Sequence, residues 1–263
     1  MKTTTNLKPS AKSGGFQTRT IRFFAAGLIT LLMSSNLQAQ LTHLYNLNGS
    51  FADSFGGPAL VPAGGTLNAT NYSFGANQGL SLSSGLSNNA TYSILLDFSF
   101  SDLTGFRKIV DFKDRTSDNG LYNLNTVLDF FGAGAAGLAG AFVPNVLERL
   151  VITRDPSNQF TGYVNGVQQI SFADTASLAV FTGSNSIIQF FIDDNAIAGE
   201  ASAGLVDRIA LYDGALTVAQ VRELGVPNEI NGTTPRVPDG GSTFVMLSGV
   251  VATLGTLKRK FCQ

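Results

Sequence analysis

The chain has 263 residues, a net charge of −1 and 13% charged residues, with one Cys, one His and no Trp. A single Cys excludes a disulfide framework and a Cys-built zinc site, and the single His43 excludes an imidazole-rich metal site and argues against a Ser-His-Asp triad. The near-zero charge is a cancellation: residues 1–39 hold five basic and no acidic residues, residues 236–263 four basic and one acidic, and residues 40–235 hold 8 basic against 17 acidic, −9 in all, which disfavours nucleic acid as a partner.

In chain order, a basic region runs to Arg22, an apolar stretch from Phe23 to Met33, and a polar stretch from Ser34 to Ala39. This order reads as a secretory signal peptide over residues 1–39, with cleavage expected between Ala39 and Gln40 because Ala39 is small. The apolar core is too short to span a bilayer, which takes about 20 residues.

The body, residues 40–226, shows period-2 alternation rather than helical spacing. Tyr92, Ile94, Leu96, Phe98 and Phe100 alternate with Ser93, Leu95, Asp97 and Ser99, which predicts a strand with one buried face. Further strands are expected over 107–112, 121–124, 127–130, 147–153, 160–164, 167–172, 187–192 and 205–212. Between two of them stands Asn165-Gly166, a pair that tolerates positive φ at both central positions of a type I′ hairpin. The stretch Gly132–Ala141 reads equally as a loop or a bulged edge strand. One short helix is signalled near the end: Thr217 and Gln220 form a capping box, Val218, Val221 and Leu224 share a face, and Gly225 and Pro227 stop it. Many strands and one late helix predict an all-β sandwich.

Residues 227–236 read as a linker. Beyond it come the turn-rich Val237, Pro238, Asp239, Gly240, Gly241, Ser242 and Thr243, an apolar run from Phe244 to Leu257 expected to be a membrane helix, and the basic cluster Lys258, Arg259 and Lys260, which fixes that end on the cytoplasmic side. The lone Cys262 falls beyond the cluster.

This three-part tail resembles PEP-CTERM sorting signals of the VPDSG type, with Gly241 a small departure from the commonest spelling. The resemblance implies processing by an exosortase, transient membrane anchoring through residues 237–263, and delivery to the cell surface or an extracellular polysaccharide matrix. In the body, Tyr45–Ser50, Gly79–Leu82, Leu150–Arg154 with Gly162–Gly166, and Gly204–Tyr212 with the short helix resemble, in order, the laminin-G-like branch of the concanavalin A-like lectin/glucanase superfamily. That implies a two-sheet antiparallel jelly roll.

Asp193, Asp194, Asn195 and Glu200 gather oxygen ligands after a strand end; hard cations take such ligands, and the resemblance brings Ca²⁺ with it, whereas the plainer reading is a solvated turn. Asp53, on an early loop, would join this set if the domain's ends are neighbours. Asp111, Asp114, Asp118 and Asn119, interleaved with Lys113 and Arg115, read as a hairpin with surface ion pairs. The superfamily's glucanases carry a Glu-x-Asp-x-x-Glu strand, and none of Glu148, Glu200, Glu223 and Glu229 falls in that pattern, so no catalytic residue is expected. Tyr45, Tyr72, Tyr122 and Tyr163 are aromatic candidates for a sugar platform, although the alternation reads most aromatics as core. The expectation is an exported, non-enzymatic module that binds carbohydrate or adheres; the alternatives are a structural matrix protein and, behind it, a glycoside hydrolase.

Overall fold

The computed structural model describes residues 1–3, 39–183 and 185–227. The chain divides into Met1–Asn36 and Leu37–Gln263, and the fold below is that of the second unit. The expected signal-peptide core, the sorting motif at 237–243 and the basic cluster at 258–260 lie outside the described residues. Among the described residues no helix is long and apolar enough to cross a membrane.

The strands are β1 (Leu41–Tyr45), β2 (Val61–Pro62), β3 (Thr66–Leu67), β4 (Tyr72–Phe74), β5 (Leu80–Leu82), β6 (Tyr92–Phe100), β7 (Phe106–Asp111), β8 (Gly120–Leu124), β9 (Val127–Phe131), β10 (Ala135–Ala136), β11 (Glu148–Arg154), β12 (Gln159–Val164), β13 (Val167–Ala173), β14 (Ile188–Phe190) and β15 (Gly204–Tyr212), followed by α1 (Val218–Leu224). They form two sheets. An eight-stranded sheet runs β13-β12-β11-β6-β15-β4-β3, with β1 also on β15, and a seven-stranded sheet runs β10-β9-β8-β7-β14-β5-β2. β1 and β4 share one edge of β15, β1 pairing with residues 209–212 and β4 with 204–206. The neighbouring strands pair antiparallel, as the two-sheet jelly roll requires.

Alternation explains the packing. On β6, Tyr92, Ile94, Leu96, Phe98 and Phe100 enter the core between the sheets. The expectation of a single buried face is too simple, however, because all nine residues of β6 are buried. Leu95 on the other face joins Leu44, Val151, Tyr163, Ala210, Tyr212, Leu216 and Val221 in a second cluster, which α1 roofs. Asp97, on that same face, is paired with Arg149 at 2.7 Å. The abundant phenylalanines fill the inter-sheet layer in two groups. Phe74, Phe98 and Phe100 surround Phe191, with centroids 4.8 to 5.8 Å away, and Phe112, Phe130, Phe160 and Phe181 interlock at 4.8 to 6.1 Å. Such ring pairs add about 0.5–1.5 kcal/mol each beyond area burial.

Local signals are reproduced. Asn165 and Gly166 have φ of 50° and 77°, the I′ hairpin between β12 and β13. Thr217 and Gln220 form the capping box of α1, and Gly225 with φ of 64° ends the helix. Of the Gly132–Ala141 stretch, Ala135–Ala136 pairs with β9 as an edge strand and the rest is turn, bend or irregular chain.

Candidate functional site: a carboxylate cluster and aromatic rim on the seven-stranded sheet

The core takes Leu121 from β8 and Leu128 and Phe130 from β9, so Tyr122, Asp129 and Phe131 lie on the outer face of the seven-stranded sheet. Lys108 stands opposite Tyr122, and Tyr122 opposite Asp129, one row across three strands. A register skip between Lys108 and Val110 aims the lysine outward while Ile109 and Val110 stay in the core.

The segment after β14 covers this row. It leaves the sheet at Phe191, which has φ of 59° and donates its N–H to the Ile109 carbonyl at 3.0 Å. It returns at Glu200, whose carbonyl accepts the Lys108 N–H at 2.7 Å. Asp193 folds the excursion: its Oδ2 accepts the N–H groups of Gly199 (3.0 Å) and Glu200 (2.8 Å), and its Oδ1 that of Asp194 (3.1 Å). Asn195 is tied to Arg115, whose Nη2 donates to its Oδ1 at 3.0 Å. Asp194 points into the site. Its Oδ1 accepts from Ala196 and Ile197, and its Oδ2 lies 2.7 Å from Lys108 Nζ and 3.2 Å from the Tyr122 hydroxyl. Lys108 is wholly buried, 3.7 Å from Asp111 Oδ2 and 4.2 Å above the Tyr122 ring. Asp118 Oδ1 is 3.1 Å from the Tyr122 hydroxyl, and oxygens of Asp118, Asp194 and Glu200 lie within 4.8 Å of one another.

One ammonium thus pairs with Asp194 and Asp111, while Asp118 and Glu200 crowd Asp194. Burial alone would raise the Asp194 pKa, but the Lys108 hydrogen bond and the loop N–H donors outweigh it and hold that carboxyl below its ordinary 3.8. Glu200 goes the other way, raised by burial and then by the charge of Asp118, and its Oε2 has no hydrogen-bond partner. Asp111 is likewise raised, burial exceeding the help of the Arg115 N–H and Lys108. Burial, then the carboxylates of Glu200, Asp118 and Asp194, push the Tyr122 hydroxyl far up, so it stays a protonated donor.

Of the four oxygen-ligand candidates, the fold brings Asp194 and Glu200 together and leaves Asp193 and Asn195 committed to loop contacts. Asp118 completes the group instead, although its own segment reads as a surface hairpin; only the pairing of β7 with β8 brings it in. Asp53 sits apart, accepting from Leu44 and Gly57 N–H at 2.8 Å each and contacting His43 Nδ1 at 2.8 Å. For calcium, which takes 6–8 oxygens, the three carboxylates are suitable donors. Asp194 Oδ2 already meets the tethered ammonium of Lys108, and of the sequence-derived quartet only Asp194 and Glu200 converge on one point.

The rim of this face is open. Phe131 is 39% exposed and packs edge-on against Phe106 (5.5 Å) and Tyr122 (6.3 Å). Asp129 beside it is half-buried, which raises its pKa, and makes no hydrogen bond among the described residues. The tyrosines offered by the sequence as a platform, Tyr45, Tyr72, Tyr122 and Tyr163, are all buried; the exposed ring on this rim is Phe131. Glu148 is held by the Asn165 side-chain amide in the eight-stranded sheet, and Glu223 lies on α1.

Residues 74–222 match the profile of the concanavalin A-like lectin/glucanases superfamily, and residues 236–261 match the VPDSG-CTERM motif. Among solved structures, the chain is similar to domain 4 of AbnA, an extracellular arabinanase from Geobacillus stearothermophilus in complex with arabinotriose, with 21% identity over 72% of this chain and 99% of that one and a TM-score of 0.52. It is also similar to a Trypanosoma rangeli sialidase, with 16% identity, TM-score 0.57 and 74% of this chain covered, but it spans only 34% of that protein. Botulinum neurotoxin type C, whose cell entry depends on two ganglioside molecules, matches with 12% identity over 70% of this chain and 50% of that one, TM-score 0.50. At these identities the likeness is one of fold. No curated protein matches the chain.

Proposed function

The chain belongs to the concanavalin A-like lectin/glucanases superfamily and carries a motif of exported, surface-targeted proteins, and from that premise we propose that it is a glycan-binding module displayed at the cell surface or in an extracellular polysaccharide matrix. One observation carries the reading: the outer face of the seven-stranded sheet sets the exposed ring of Phe131 beside Asp129, a half-buried carboxylate with no hydrogen bond among the described residues. A sugar offers an apolar C–H face that packs on a ring and hydroxyls that donate to carboxylates, the mix of apolar wall and few polar groups that ligand sites use. The almost complete coverage of an arabinotriose-bound domain by this sandwich supports it. In this reading an exosortase-type enzyme processes the tail after transient anchoring, and binding needs no divalent cation because Lys108 supplies the positive charge.

A structural matrix role is favoured by a different observation, the exposure of Leu138, Val143 and Val146 along one connection. It leads to self-association without sugar binding. The experiment is a glycan array with the full-length chain in detergent, run with and without chelator, beside Phe131→Ala. Retention of glycans by the parent and loss in the variant supports the module. Absence of any bound glycan together with concentration-dependent oligomers would replace it with the matrix reading. Turnover of a sialoside or arabinan that Glu200→Gln abolishes would replace it with a hydrolase.

A further inference from the structure

We propose that the opposite face of the molecule, the outer side of the eight-stranded sheet, holds a second and separate subsite that takes one neutral sugar residue. Four chain segments converge there on an open groove of about 320 Å³: Thr70 and Asn71 from the β3–β4 turn, Ser99 from β6, Asn145 and Leu147 before β11, and Leu205 and Asp207 from β15. That volume is at the small end of ligand sites. Ser99 alternates with the core residues Phe98 and Phe100, and Asp207 follows the core residue Val206, so both side chains point away from the inter-sheet core.

Asp207 is the extra residue of a bulge. β15 keeps register with β6 through Val206↔Phe98 and resumes at Arg208↔Asp97, leaving Asp207 unmatched. Bulges re-aim side chains and recur beside functional sites. Asn145 is held in the left-handed region, φ 60°, by its N–H bond to the Phe100 carbonyl at 2.8 Å. Three side-chain groups are left with no hydrogen bond among the described residues: the Asp207 carboxylate, the Asn145 amide and the Ser99 hydroxyl. The turn carrying Asn71 is fixed by Asn68, whose Nδ2 donates to Asn71 Oδ1 at 2.9 Å. An acceptor, an amide that both donates and accepts, and a hydroxyl, set around the apolar surface of Leu147 and Leu205, match the hydroxyl edge and C–H face of a pyranose or furanose. A phosphate or sulfate would meet Asp207 and is not the expected ligand. Burial raises the Asp207 pKa despite Arg208 and Arg149 nearby, as befits a carboxylate still short of donors.

The subsite shares with the reading above only the class of ligand. The test is saturation-transfer NMR on the full-length chain with glucose, galactose, mannose and arabinose as separate probes. Asp207→Asn, Asn145→Ala, the groove-filling Leu205→Trp and the opposite-face Phe131→Ala are compared, with melting curves checking that each folds. At least one probe should bind the parent, lose about tenfold or more in affinity in Asp207→Asn, vanish in Leu205→Trp, and persist in Phe131→Ala. Loss in Phe131→Ala alone would overturn the groove and leave the proposed function standing. Loss in the groove variants alone is that expected result for a monosaccharide seated in the groove, and it leaves the face carrying Phe131 to be decided by the glycan array. No probe binding the parent, or equal binding in parent, Asp207→Asn and Leu205→Trp, would overturn the groove outright.

Discussion

Lys108→Met removes the one cation that the described residues place in the carboxylate cluster while keeping the length and apolar stem of the side chain. The ammonium lies 2.7 Å from Asp194 Oδ2 and 3.7 Å from Asp111 Oδ2. At an effective dielectric of 20 those separations correspond to gross attractions of about 6 and about 4 kcal/mol, most of which the desolvation of three buried groups cancels. What the variant exposes is the other side of that balance, because Asp194 and Asp111 are left buried without their shared ammonium, and breaking a buried pair in this way costs about 3–5 kcal/mol. For a body of this size each kcal/mol moves the melting temperature by about 2–4 °C, so Lys108→Met should melt roughly 6–20 °C below the parent. Lys108→Met/Asp194→Asn should recover much of the loss, since removing both partners leaves fewer unpaired charges. Millimolar Ca²⁺ should raise the melting temperature of Lys108→Met and leave the parent unchanged, because the oxygens of Asp118, Asp194 and Glu200 then face a position without its ammonium. Thermal unfolding followed by far-ultraviolet circular dichroism reads all three effects. A fall of less than 2 °C in Lys108→Met, or a Ca²⁺ response in the parent equal to that of the variant, would refute the reasoning.

Three further expectations follow from the same structure. Glu200 has a folded pKa above its ordinary 4.5, so the folded state binds that proton more tightly and loses stability as pH rises from 4.5 through the raised value; Glu200→Gln should gain about 1 kcal/mol or less at pH 7, partial exposure screening the charge, and nothing at pH 4, whereas an equal gain at both pH values in melting experiments would contradict the shift. Gly204→Ala would place a Cβ 2.1 Å from the Ser99 carbonyl oxygen, backbone against backbone in the β6–β15 ladder; urea unfolding should show a loss of at least about 2 kcal/mol, and a neutral result would show that this ladder yields. Deleting residues 237–263 should release the protein into the medium, as read by immunoblot of cell and medium fractions, and unchanged surface retention would remove the sorting role from the tail.

The features legible in the sequence are those encoded over a few neighbouring residues. The alternation of β6, the Asn165-Gly166 turn and the Thr217–Gln220 capping box each rest on local periodicity or backbone preference, and each stands in the structure where the sequence places it. The tail is legible for the same reason, its motif, apolar run and basic cluster being consecutive. The short strands β2 and β3, two residues each, carry too little pattern to be found. The outer cover of β6 was hidden because Leu95 meets α1 only through tertiary packing. The site shows the limit most clearly. Asp193, Asp194 and Glu200 are close in sequence and share one loop, yet Asp193 spends its oxygens on that loop's own N–H groups. Lys108 and Asp118 belong to the cluster because β7 pairs with β8 across a register skip, and no local signal marks either. Lys108 alternates with nothing that would announce a buried charge, and Asp118 stands among Lys113, Arg115 and Asn119 like any polar turn residue.

The central claim is that this sandwich binds glycan through the face that carries Phe131. It is tested most directly by glycan-array binding of the full-length chain, parent beside Phe131→Ala, in the presence of chelator. The account predicts retained binding by the parent without divalent cation and loss of that binding in Phe131→Ala with unchanged melting temperature. Glycan binding that is identical in the two proteins, or no glycan bound by the parent at all, would contradict it.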